Sequence, residues 1–130
     1  MSRRLDDLQI GFRLVVFEFL ARLTEAGIHV AVVDTLRTPE EHAINLSSGV
    51  SWIKRSKHLD GLAIDVCPFH TWALHGTDKL MWDATDPVWK RIGEAGEKLG
   101  LVWGGRWTHK DMGHFEMSAE ALRKLNEMRV

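Results

Sequence analysis

The chain has 130 residues, with 17 Lys and Arg against 18 Asp and Glu and a formal net charge of -1, a length that suits one compact domain. That balance lacks the basic excess by which a nucleic-acid binder meets phosphate. The single cysteine, Cys67, rules out an intrachain disulfide framework. Arg13, Glu18, Arg22 and Glu25 interrupt the first apolar segment, so nothing reaches the roughly 20 consecutive apolar residues that a membrane span needs. With no signal-peptide pattern at the start, the expectation is a protein made and folded in a reducing cytoplasm, without a membrane or nucleic-acid partner.

Leu5 to about Ala26 reads as one amphipathic helix, because Leu5, Leu8, Phe12, Val15, Val16, Phe19 and Leu23 recur at helical steps and Gly27 is a natural stop. Ile28 to Val33 is short and β-branched, so it reads as a strand. Thr38-Pro39-Glu40-Glu41 announces a second helix, with Thr38 as cap, Pro39 at its first position and Glu41 completing a capping box; it should end near Gly49. Lys54, Arg55 and Lys57 form a basic cluster that reads equally as a solvated loop or as a meeting point for an anionic polymer.

Gly61 to Val66 reads as another strand, with Leu62, Ile64 and Val66 facing one way and Ala63 and Asp65 the other. Residues 68–85 are irregular. Asp86-Pro87 starts a third helix with Val88, Ile92, Ala95 and Leu99 on one face and Gly100 as its stop. Leu101 to Trp103 is a short strand, Gly104-Gly105 a loop, and His114 to Met117 the last strand. Ser118 caps a closing helix carrying Leu122, Leu125 and Met128. The expected class is α+β: a single domain over residues 1–130, with a small, mostly antiparallel sheet flanked by helices.

Chemistry concentrates in two places. In Ser56-Lys57-His58-Leu59-Asp60-Gly61-Leu62-Ala63-Ile64-Asp65, an imidazole and a carboxylate are joined by a strand whose inward face carries only Gly61 and Ala63. Those small side chains leave room for an ion and its water. Later comes Asp111-Met112-Gly113-His114-Phe115-Glu116, where His114 and Glu116 share one strand face. Two imidazoles and a carboxylate form the ligand set of a catalytic Zn²⁺ with its fourth position open, and a nearby acid can serve as general base. A lone His is more commonly a satisfied core or surface residue, so spacing by itself leaves the metal reading open. His29, His42, His70, His75 and His109 read as ordinary histidines, Trp107 and His109 as candidates to line a cleft, and Cys67 as a small buried residue.

Ser-x-His-x-x-Gly-x-Ala-x-Asp, as Ser56 to Asp65, followed by Asp-x-x-His, as Asp111 to His114, closely resembles the D-alanyl-D-alanine carboxypeptidase and phage endolysin branch of the LAS (hedgehog-type) zinc metallopeptidases. The resemblance spans roughly Val30 to Phe115. It implies one zinc ion held by His58, Asp65 and His114, with Asp111 as catalytic base; Glu116, which shares a strand face with His114, is the rival base by position. It also implies that Arg37, which precedes the acidic start of the second helix, binds substrate and stabilises the oxyanion. Ser56 reads either as assisting by a hydrogen bond to a ligand, Arg37 or substrate, or as a simple turn residue. A structural Arg37 pairing with Glu40 or Glu41 is the alternative. Asp at position 111, where Glu is common, leans toward phage L-alanyl-D-glutamate endopeptidases. Asp34-Thr35-Leu36, in place of a small Gly-containing turn, and His42, where Gln is frequent, depart from the pattern.

The resulting expectation is a monomeric endolysin cleaving a peptidoglycan stem-peptide bond after another protein opens the membrane. The alternatives are a D-alanyl-D-alanine carboxypeptidase or dipeptidase, and a non-catalytic zinc-stabilised binding domain.

Overall fold

The first apolar segment folds in two pieces. In the structure, a computed structural model that describes residues 2–47, 57–70 and 79–127, Leu5–Asp7 form one 3-10 turn and helix α1 runs over Ile10–Glu25. The single helix expected from Leu5 is broken at Leu8 and Gln9, both extended. Tertiary pairing outweighs helical periodicity here. The Gln9 N–H donates to the Gly61 carbonyl at 2.9 Å, while its side chain accepts from the Phe12 N–H at 2.9 Å and caps α1.

The remaining elements are β1 (Val30–Asp34), α2 (Pro39–Ser47), β2 (Ala63–Pro68), α3 (Val88–Lys98), β3 (Val102–Trp103), β4 (His114–Glu116) and α4 (Ala119–Glu127). Their kinds and order match the sequence reading; the strand limits move. β1 and β2 start two residues later than expected, and each extends past the predicted end. Thr38 caps α2 through its hydroxyl, which accepts from the Glu41 N–H at 3.1 Å, and Ser118 caps α4 through the Ala121 N–H at 3.1 Å. The predicted end of α2 near Gly49, Lys54 and Arg55, and Met128 lie outside the described residues.

The sheet has the order β1-β2-β4-β3, and every pairing is antiparallel. Alternation along the strands gives it two faces. One face buries Ile64, Val66 and Phe115 with Phe12, Val16, Phe19 and Leu23 of α1 and with Trp89 and Ile92 of α3. The buried stripe of α3 runs through Trp89, Ile92, Gly93 and Gly96, while the predicted Val88, Ala95 and Leu99 sit at its edge. A Cβ at Gly93 would come within 2.3 Å of the Trp103 ring, and one at Gly96 within 2.7 Å of Phe115. The helix therefore turns its smallest residues toward the largest partners. The other face carries Ala63, Asp65, His114 and Glu116, paired as Ala63 with Glu116 and Asp65 with His114.

Candidate metal centre

β2 and β4 bring the first two functional side chains together. Ile64 and Phe115, paired across the ladder, fill the core, so Asp65 and His114, the next pair, project from the opposite face. His58 arrives from the 3-10 turn Lys57–Asp60 immediately before β2 and is buried to 1% exposure. Its Nε2 lies 3.2 Å from Asp65 Oδ1, and His114 Nδ1 lies 3.0 Å from the same oxygen. The two rings meet edge to face, with centroids 5.1 Å apart. One ligand atom from each of His58, Asp65 and His114 falls within 4.8 Å of the others.

The hydrogen bonds settle which nitrogens can face an ion. His58 Nδ1 lies 2.6 Å from the Thr35 carbonyl oxygen. A carbonyl only accepts, so Nδ1 carries a proton toward Thr35, and Nε2 is the nitrogen that faces Asp65. His114 is oriented the other way, with Nδ1 toward Asp65 and Nε2 2.8 Å from Glu116 Oε1. This convergent set of two imidazole nitrogens and one carboxylate oxygen fits a zinc-like ion that keeps a position for water.

Electrostatics follow from burial and these contacts. Burial alone would raise the Asp65 carboxyl, but hydrogen bonds from His114 and His58 overcome it and hold Asp65 well below the usual carboxylate range. Burial alone would lower His114. Its hydrogen bonds to Asp65 and Glu116 reverse that and push it up to about 9.

Asp111 stands at the rim, in the loop before β4. Its N–H donates to the Gly104 carbonyl at 3.0 Å, and its carbonyl accepts from the His114 N–H at 3.2 Å. Burial and then the charge of Asp65 raise its carboxyl, while His114, His58 and Arg37 pull it down. The loop is set by close packing. The Val66 N–H donates to the Gly113 carbonyl at 2.9 Å, and a Cβ on Gly113 would lie 2.3 Å from the Val66 oxygen. The Trp103 indole N–H donates to the Met112 carbonyl at 2.7 Å.

Arg37 is nearly buried, at 9% exposure, and donates from Nη2 to Asp34 Oδ2 at 3.0 Å, with its backbone N–H on the His58 carbonyl at 3.0 Å. Asp34 was read from sequence only as part of an atypical turn, and its role in the site was missed. A β-bulge between Val32 and Asp34 sets Asp34 opposite Asp65 and hence on the same face. Burial raises the Asp34 carboxyl against the pull of His58 and Arg37. Thr35, whose carbonyl orients His58, was also missed. Ser2 pins this stretch, its carbonyl accepting from the Thr35 N–H at 2.9 Å. The available signal was an acidic residue directly after a β-branched run and three positions before an Arg.

Ser56, His75 and the His42 side chain lie outside the described residues. The Trp107 ring lies 5.1 Å from that of His114, whereas His109 is exposed. His29 packs near Phe69. Cys67 is fully buried, and burial pushes its thiol up to about 11, which suits a core residue and not a metal ligand.

A four-stranded antiparallel sheet with two imidazoles converging on a carboxylate, and a neighbouring acid, at its open face has the build of a single-metal hydrolase. The chain belongs to the peptidase family described as D-alanyl-D-alanine carboxypeptidase, whose family model matches residues 50–117, the stretch that holds His58, Asp65, Asp111, His114 and Glu116. It is 34% identical over 86 residues to the L-alanyl-D-glutamate peptidase of Listeria phage A118, covering 63% of this chain and 27% of that protein. It is 32% identical over 94 residues to the L-alanyl-D-glutamate peptidase of Escherichia phage T5, covering 66% of this chain and 64% of that protein. The chain thus spans less than two thirds of either relative. Among solved structures it is similar to the L-Ala D-Glu endopeptidase ChiX of Serratia marcescens, with a TM-score of 0.69 and 25% identity over 91% of this chain and 86% of that one. Among the described residues, no helix is long and apolar enough to cross a membrane.

Proposed function

We propose that this chain is a zinc-dependent endopeptidase that cuts the L-alanyl–D-glutamate bond of the peptidoglycan stem peptide. The observation that carries the reading is the convergence of His58, Asp65 and His114 within 4.8 Å on the open sheet face, beside Asp111. The two phage relatives and the Serratia structure, all named for that bond, supply the substrate.

Zinc held by His58, Asp65 and His114 would supply Lewis acidity to the scissile carbonyl and the attacking water. Asp111 takes the proton from that water and returns it to the leaving amine. A carboxyl raised by burial and by Asp65 is a better proton acceptor than an exposed one. Arg37, held by Asp34, offers its guanidinium to a substrate carbonyl or carboxylate and to the developing oxyanion. Ser56 is assigned a hydrogen-bonding role toward a ligand or substrate. Glu116 accepts from His114 Nε2, an engagement that favours Asp111 over Glu116 as base.

The reading includes one catalytic domain over residues 1–130 acting as a monomer. In a phage or prophage setting it would wait in the cytoplasm until another protein opens the membrane. The test is mass spectrometry of purified sacculi digested by the zinc-loaded protein. New free D-Glu amino groups, with L-Ala left on the muramic acid, are the expected product. Release of D-Ala alone would move the assignment to the carboxypeptidase activity for which the family is described.

A further inference from the structure

Glu116 has no step of its own in the reaction above, yet its position on β4 is closely constrained. Its backbone is paired on both sides, with Ala63 of β2 and Val102 of β3. Its side chain is 17% exposed, and the small Ala63 across the ladder leaves that carboxylate room to turn along the sheet toward His114. There Oε1 lies 2.8 Å from His114 Nε2.

We propose that Glu116 is a positioning residue: by accepting from His114 Nε2 it holds that ring with Nδ1 toward Asp65 and His58, and so sets the affinity of the centre for its metal. The inference rests on the metal site proposed above. An imidazole can rotate to present either nitrogen, and each arrangement must be selected by whatever the other nitrogen meets. The two histidines are selected in opposite senses. The Thr35 carbonyl fixes His58 Nδ1–H and leaves Nε2 inward; Glu116 fixes His114 Nε2–H and leaves Nδ1 inward. A carboxylate acceptor also makes the imidazole a stronger donor to a cation than a carbonyl acceptor does. Asp65 cannot replace Glu116 in this role, because its Oδ1 is on the metal-facing side of the ring.

The test uses the full chain stripped of metal, with zinc affinity read by competition against a chromophoric chelator. Glu116→Ala should weaken zinc binding about 10–100-fold, the usual cost of removing such a partner. Glu116→Gln keeps an acceptor without the charge and should lose less. Nitrogen NMR of the zinc-loaded wild type should show His114 protonated at Nε2, and Glu116→Ala should lose that single tautomer.

Unchanged zinc affinity in Glu116→Ala, with the fold retained by circular dichroism, would overturn the proposal. If Glu116→Ala does not fold, wild-type affinity in Glu116→Gln would overturn it equally, and lost turnover with that affinity would make Glu116 the base. A wild-type protein that takes up no zinc would instead bring down the metallopeptidase reading itself, which keeps the two failures apart.

Discussion

Asp34 stands opposite Asp65 because β1 carries a bulge between Val32 and Asp34. A regular ladder continuing from the Val32–Val66 pair would set Val33 against Asp65 and put an apolar side chain beside that carboxylate. The bulge substitutes a carboxylate that is 3% exposed, with Oδ2 on Arg37 and Oδ1 lacking a hydrogen-bond partner among the described residues. Burial raises this carboxyl more than its partners lower it, so the surrounding fold holds the pair in place. Breaking such a pair costs more than replacing it. Asp34→Ala should therefore destabilise the metal-free protein by about 3 kcal/mol, and Asp34→Leu with Arg37→Met should recover most of that loss. Urea unfolding of the two variants checks this; a double variant no more stable than Asp34→Ala would refute it. Both should lose activity, because Arg37 is either misplaced or gone.

Asp111 offers a cleaner separation of chemistry from binding. Its carboxyl is raised by burial and the charge of Asp65, and it lies outside the three-residue cluster. Asp111→Asn preserves shape and removes the basic oxygen. Turnover of sacculi should fall about a hundredfold to ten-thousandfold, the usual span for a lost general base. Metal analysis of the same preparation should find the zinc content of the wild type. Loss of zinc along with activity would make Asp111 part of the metal site and leave the base unassigned.

The three residues that converge, His58, Asp65 and His114, were more legible in the sequence than what surrounds them. Alternation places Asp65 and His114 on strand faces, while His58 joins them through the family resemblance; the α+β architecture and element order follow from local patterns. What was illegible depends on contacts between distant segments. Helix α1 begins only after Gln9, and not at Leu5, because Gln9 pairs with Gly61, more than fifty positions away in the numbering. The buried stripe on α3 shifts because Trp103 needs the space at Gly93. Asp34 enters the site through one bulged residue, and a bulge leaves no mark in a run of β-branched residues. Glu116 was read as a rival base because strand alternation gives its face, and only the distance to His114 Nε2 gives its partner.

Gly113 is predicted to be as sensitive as a ligand although it touches no metal. Its missing side chain lets the loop before β4 lie against Val66, where a Cβ would sit 2.3 Å from a backbone oxygen. Neither partner is a flexible side-chain end that can swing away. Gly113→Ala should cost about 1–3 kcal/mol through overpacking. By displacing His114, the next residue, it should also weaken zinc binding. Thermal melts and chelator competition on the same variant test the two effects together. An alanine variant with wild-type stability and affinity would show that the loop has slack that the structure does not display.

The proton on His114 is what a metal must displace. Both ring nitrogens of His114 face carboxylate oxygens, Asp65 at 3.0 Å and Glu116 at 2.8 Å. Without metal those contacts hold the ring protonated up to about 9, against 6.5 for an unperturbed histidine. The folded value is raised, so the charged ring stabilises the metal-free fold fully below pH 6.5, and that contribution is lost as pH rises through about 9. Zinc occupying Nδ1 removes this dependence and releases the proton. Two consequences follow, and both favour the zinc-loaded protein as pH rises. Between pH 6.5 and about 9 the metal-free melting temperature should fall, while zinc affinity climbs by up to about tenfold per pH unit for the one proton released. Over that window the gap in melting temperature between zinc-loaded and metal-free protein should widen steadily. Asp65, held well below the usual carboxylate range, does not titrate there. Paired melts across the window, with zinc and with chelator, read the gap directly. A gap independent of pH would mean that zinc does not compete with the His114 proton, and His114 could not then be a ligand through Nδ1.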